Sequence, residues 1–189
     1  MKRIFAVIAI LTVFCRIALA EFAVKKEITA AIGADDNGAT GLYTGEINKD
    51  GLPEGYGVLE AETNGEKWKY VGDWKNGQME GEGWKVYENG MMHIGTFLRG
   101  YAIKCDAYQA ADKKRHFDYT DRITVGDAKA YKTIIYYQKT DRNADFMPEF
   151  DGYVIPLNDE TDQFYKGTRY YKNGKIDCTG YFNGYQPEE

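Results

Sequence analysis

The sequence predicts a mainly β chain built as a row of antiparallel hairpins. Three observations predict it: glycines recur in register with aromatic residues, Asn-Gly and related pairs fall between short runs, and those runs alternate between two faces. In YVGDW (70–74), Tyr70, Gly72 and Trp74 share one strand face while Val71, Asp73 and Lys75 take the other. Asn76-Gly77 follows, and both residues tolerate the positive φ that a tight hairpin turn requires. Gly81 and Gly83 then occupy alternate positions of the returning strand. Glycine inside a strand weakens it, so a regular set calls for a reason. The reason is space, since a bare backbone leaves a slot in which an aromatic ring can lie.

The same grammar extends to both sides. Tyr43-x-Gly45 leads to Gly51, Gly55 and Gly57, and His93-x-Gly95 leads to Gly100. Glu88-Asn89-Gly90 supplies the turn before His93. These units resemble the MORN repeat family, whose units read roughly Tyr-x-Gly-x-x-x-x-Gly, a few residues, then Gly-x-Gly. The resemblance covers about residues 43–100, with two good units and a truncated third in which histidine replaces tyrosine. It implies an elongated, curved sheet with an aromatic-lined face, used for binding and assembly, sometimes attached to enzymes. Lipid binding has been proposed for some members.

Before the repeats, residues 21–42 form a lead-in, and residues 1–20 have the layout of a cleavable export signal. Lys2 and Arg3 precede an apolar run over 4–14, and small residues lead up to a cut between Ala20 and Glu21. Arg16 interrupts the run too early for a spanning helix. The mature product is expected in the periplasm or outside. Cleavage takes net charge from −5 to −8. An acidic product is repelled by nucleic acid and by anionic lipid, which excludes charge-driven partners of both kinds.

Beyond Gly100, residues 101–189 read as a β-rich extension. The stretch DAYQAADKKRHF (106–117) could form one short helix. ITV and TIIYY are strand-like around a Gly126-Asp127 turn, residues 140–149 read as a loop, and Pro156 marks a strand end. Tyr165-x-Gly167 with Gly174 reads as a degenerate terminal hairpin over 164–184, the atypical cap a repeat array needs. Cys105 and Cys178 are either a disulfide tying that cap to the repeats or two buried thiols, and export favours the bridge. Exposed sheet edges could pair two copies.

Candidate chemistry is sparse. There is no serine, hence no serine nucleophile. His93 fills an aromatic position, and His116 follows a solvated basic run, Lys113 to Arg115. Two histidines and two mature cysteines lack zinc spacing. Glu46-x-Asn48-x-Asp50-Gly51 begins like a calcium loop, but glycine stands at 57 where the closing acid should be, so these residues are a polar hairpin tip. No catalytic, metal or cofactor site is expected. The reading is an exported, non-enzymatic module that binds another protein, of which an inhibitor or immunity protein is one version. Tyr43, Tyr70 and Trp74 are its candidate binding residues, against a reading in which they only pack on one another. The alternative is a small hydrolase or glycan-binding domain in the C-terminal half.

Overall fold

The computed structural model describes residues 21–30, 38–110, 113–139, 141, 144–156, 162–184 and 186–187. The expected signal lies outside these residues. Thirteen strands form one antiparallel sheet in strict chain order. They are β1 (Glu21–Ala30), β2 (Ala39–Ile47), β3 (Pro53–Thr63), β4 (Glu66–Lys75), β5 (Gln78–Tyr87), β6 (Met92–Leu98) and β7 (Tyr101–Ala110). The rest are β8 (Lys113–Val125), β9 (Ala128–Tyr136), β10 (Pro148–Pro156), β11 (Asp162–Tyr170), β12 (Ile176–Asn183) and the two-residue β13 (Gln186–Pro187).

The turns follow from local chemistry. Asn76 and Gly77 (φ 48° and 82°) join β4 to β5 with Lys75 opposite Gln78, as the type I′ geometry demands. Gly126-Asp127 links β8 to β9 and residues 171–175 link β11 to β12, both as expected. At the β2–β3 tip, Asn48 Oδ1 accepts from the backbone N–H groups of Asp50 and Leu52 at 3.0 and 3.1 Å, so the calcium-like stretch is a polar turn.

Strand register aligns one row across twelve strands, small at every position but Phe117. Ala23, Gly45, Gly57, Gly72, Gly83 and Gly95 are successive partners over β1–β6. Cys105, Phe117 and Thr133 continue it over β7–β9, and Gly152, Gly167 and Gly180 complete it over β10–β12. Rings fill this trough. A Cβ on Gly57 would lie 2.2 Å from the Tyr43 hydroxyl, and one on Gly83 would lie 2.4 Å from that of Tyr70. Those hydroxyls donate to the Glu46 and Asp73 carbonyls at 2.7 and 3.0 Å.

Two expectations are corrected here. The expected helix over 106–117 is replaced by strand in its described part: 106–110 belong to β7 and 113–117 to β8, where Cys105 opposite Phe117 and Ala107 opposite Arg115 continue the ladder. Helix-compatible alanines and charges yield to sheet pairing on both sides. The expected bridge is also absent, with Cys105 and Cys178 both free. Their strands, β7 and β12, stand five spacings apart along the sheet. At ~4.8 Å per spacing that is roughly 24 Å, against the ~7 Å limit between Cα atoms for a disulfide. Burial pushes the Cys105 thiol up to about 12, which leaves it neutral and unreactive.

The terminal hairpin also departs in detail from expectation. Tyr165 sits at the β10–β11 bulge, between Phe164 and Lys166 in the pairing, rather than over glycine. Phe150 takes the slot: its ring tip would lie 2.7 Å from a Cβ on either Gly152 or Gly167. Phe150-x-Gly152 is therefore the working aromatic-x-Gly pair of the C-terminal half.

Candidate functional site

A single sheet can bury large side chains only by curling around them. Tyr43 and Tyr70 are 0% exposed and Trp74 3%, stacked edge-to-face at 5.3 and 5.2 Å. Leu59, Met79 and Phe97 join them in the same core. These three aromatics therefore offer no surface to a partner, and the expected binding face is corrected to a core. A second cluster, Phe150, Val154, Phe164 and Phe182, packs under the last strands.

Between the two clusters the concave face opens. Two residues along from the glycines runs a parallel row with Tyr43, Leu59 and Tyr70 over β2–β4, Ile135 and Phe150 over β9–β10, and Arg169 and Cys178 over β11–β12. In its middle, over β5–β8, the row reads Lys85, His93, Ala107, Arg115. Large apolar side chains give way to two cations, an imidazole and a methyl group, and a cleft of about 750 Å³ lies there. That volume falls within the ~300–1,000 Å³ typical of ligand sites. Tyr87, Phe97, Phe117 and Tyr119 supply apolar wall.

The electrostatics centre on Lys85, which is only 7% exposed. Its ammonium sits 4.0 Å over the Trp68 ring and 4.9 Å over that of Tyr87. Among the described residues no carboxylate lies in ion-pair range of it and nothing accepts a hydrogen bond from it. Desolvation pulls its pKa down to about 8, against a weaker upward pull from Glu66. His93, directly opposite, is held below its ordinary value by burial and then by Lys85, so it is neutral at pH 7. Its ring lies between Tyr87 and Phe117 at 5.9 and 6.0 Å, the aromatic role the sequence assigned it.

Arg115 Nη1 pairs with Asp162 Oδ2 at 2.6 Å, reaching from β8 to β11 and bracing the curl. Its Nε is buried with no hydrogen-bond partner among the described residues. The basic run of the sequence thus divides. Lys113 and Arg115 share the concave-face parity of Phe117, whereas Lys114 pairs at 2.6 Å with Asp106, which also meets His116 at 2.9 Å. The cleft's own acids are Asp162 and Glu149. Among the described residues, no group of three or more His, Cys, Asp or Glu could hold a metal ion.

Sequence reasoning missed Lys85 although a signal existed. In Gly83-Trp84-Lys85, period two puts Lys85 on the slot face and Trp84 outside, so a lysine stands at an aromatic position. The structure agrees: Trp84 is 37% exposed on the convex face, beside Ile94 at 43%.

A search among curated proteins finds no match to the chain. The family model for the MORN repeat matches residues 43–65 and 70–92, the two hairpins whose tyrosines fill glycine slots. MORN repeats generally serve as protein- or membrane-binding scaffold modules and are typically non-catalytic. The chain carries two MORN repeats, set at the N-terminal end of a longer sheet that continues their glycine row.

Proposed function

We propose that the mature chain, from Glu21, is an exported, non-catalytic scaffold module that holds one protein partner in the concave cleft. One observation carries the reading: buried Tyr43, Leu59 and Tyr70 on one side and buried Phe150 on the other flank β5–β8, where the same row opens into a lined hollow. The C-terminal half adds strands to the same sheet, which supports a single module over a separate hydrolase. An inhibitor of the partner is the version that suits a small acidic exported domain.

The experiment is capture from the exported fraction with three baits. The mature chain and a convex-face variant, Trp84→Ala with Ile94→Ala, are expected to retain the same stoichiometric protein. Ala107→Trp, which fills the cleft, is expected to lose it while keeping its far-UV spectrum. Loss with the convex variant and retention with Ala107→Trp would move the site to the other face. Absence of any specific protein on the wild-type bait would end the scaffold reading.

A further inference from the structure

Among the described residues the Lys85 ammonium meets no carboxylate and no hydrogen-bond acceptor, and it opens onto the central cleft. Charged groups inside proteins are nearly always paired, because an unpaired ion gives up its hydration for nothing. Among the described residues, these groups face Lys85. Tyr70 stands opposite on β4 and is held neutral by burial, with Trp68 and the more distant Glu66 on the same strand. On β5 there is Tyr87, and opposite on β6 the neutral His93. None is an anion in contact. Arg115 Nε, on the same row, is a second donor without an acceptor, although its Nη1 is committed to Asp162. Between the two lie the His93 ring and Ala107, with Tyr87 and Phe117 beside them.

We propose that the cleft reads a carboxylate: the partner's docking segment presents an Asp or Glu side chain to the Lys85 ammonium, with an aromatic or aliphatic residue beside it against the cleft wall. This rests on the docking reading above and specifies its chemistry. A carboxylate supplies the missing ion-pair partner in a low-dielectric setting, where a charge-assisted hydrogen bond is at its strongest. The isosteric amide carries no charge and leaves the ammonium unneutralised. The long-range field of a chain at −8 disfavours acidic partners in general, so discrimination must come from the contact itself.

The probes are two capped tripeptides, acetyl-Phe-Glu-Phe-amide and acetyl-Phe-Gln-Phe-amide, titrated calorimetrically into the mature protein at pH 7. The glutamate peptide is expected to bind at least tenfold more tightly than the glutamine peptide. In Lys85→Met, and independently in Lys85→Gln, that preference should fall to within twofold while near-UV dichroism stays native. Equal binding of the two peptides, binding of neither, or a preference that survives both substitutions would overturn the proposal. If neither peptide binds but Ala107→Trp still loses the captured protein, docking in the cleft stands and the carboxylate assignment falls alone.

Discussion

Gly57→Ala is expected to cost about 3 kcal/mol of stability, as read from the urea midpoint at unchanged m value. The new Cβ would lie 2.2 Å from the Tyr43 hydroxyl and 2.5 Å from its ring. That ring cannot step aside, being fully buried, edge-on to Trp74 at 5.3 Å and hydrogen-bonded through its hydroxyl to the Glu46 carbonyl. Overpacking of a fixed core typically costs ~1–3 kcal/mol, and a contact this short belongs at the upper end. Against a typical total of ~5–15 kcal/mol this is a large fraction.

Two comparisons isolate the cause. Tyr43→Ala should itself cost ~3–5 kcal/mol, yet with the ring gone the slot is vacant. The double variant should then fall short of the summed losses by more than ~1 kcal/mol, the signature of a shared contact. Gly126→Asn, at a turn with φ 58° and open space around it, should cost under ~0.5 kcal/mol, since asparagine tolerates that conformation. An additive double variant would remove the ring-in-slot explanation for the glycine row.

Lys85→Met is expected to act in the opposite direction and stabilise the protein at pH 7 by roughly 2–3 kcal/mol. The ordinary lysine value is 10.5 and the folded one about 8, so near neutrality the fold carries the cost of a desolvated charge. At ~1.36 kcal/mol per pKa unit that cost is on the order of 3 kcal/mol. Methionine keeps the contacts with Trp68 and Tyr87 without the charge.

The sign with pH follows. Between about pH 8 and 10 the folded chain has released the Lys85 proton while the unfolded chain still binds it, so wild-type stability should rise across that window. Lys85→Met should lack this rise. Above about pH 10 the buried tyrosines act in the other sense, because Tyr43 and Tyr70 ionise more readily once unfolded. A destabilised Lys85→Met, or one with the wild-type pH dependence, would contradict the burial argument. A residue that weakens its own fold and lines an open cleft is one whose role lies in what it meets.

Much of the sheet was legible because its determinants are local. Period two in YVGDW, Asn76-Gly77 and Gly126-Asp127 each specify a strand or a turn from a few adjacent residues, and the structure places them as read. What stayed hidden depends on curvature and on long-range pairing. Tyr43, Tyr70 and Trp74 were correctly assigned to one face, but only the curl of the sheet decides whether that face is surface or core. Residues 106–110 and 113–117 carry helix-compatible composition and become strand because β6 and β9 already flank them. Cys105 and Cys178 match as a pair in sequence, while linear strand order separates them. Phe150 departs from the tyrosine of the repeat pattern, although its spacing to Gly152 is the same and the slot accepts either ring.

The most direct test of the account is the titration of Lys85 itself, followed by NMR of the mature protein labelled with ¹³C at the lysine ε-carbon and assigned through Lys85→Met. Lys85 is expected to titrate near pH 8 and to move upward when acetyl-Phe-Glu-Phe-amide is added. A Lys85 resonance that titrates at the ordinary lysine value of 10.5, with or without the peptide, would mean that the ammonium is fully solvated and that the carboxylate has nothing to answer.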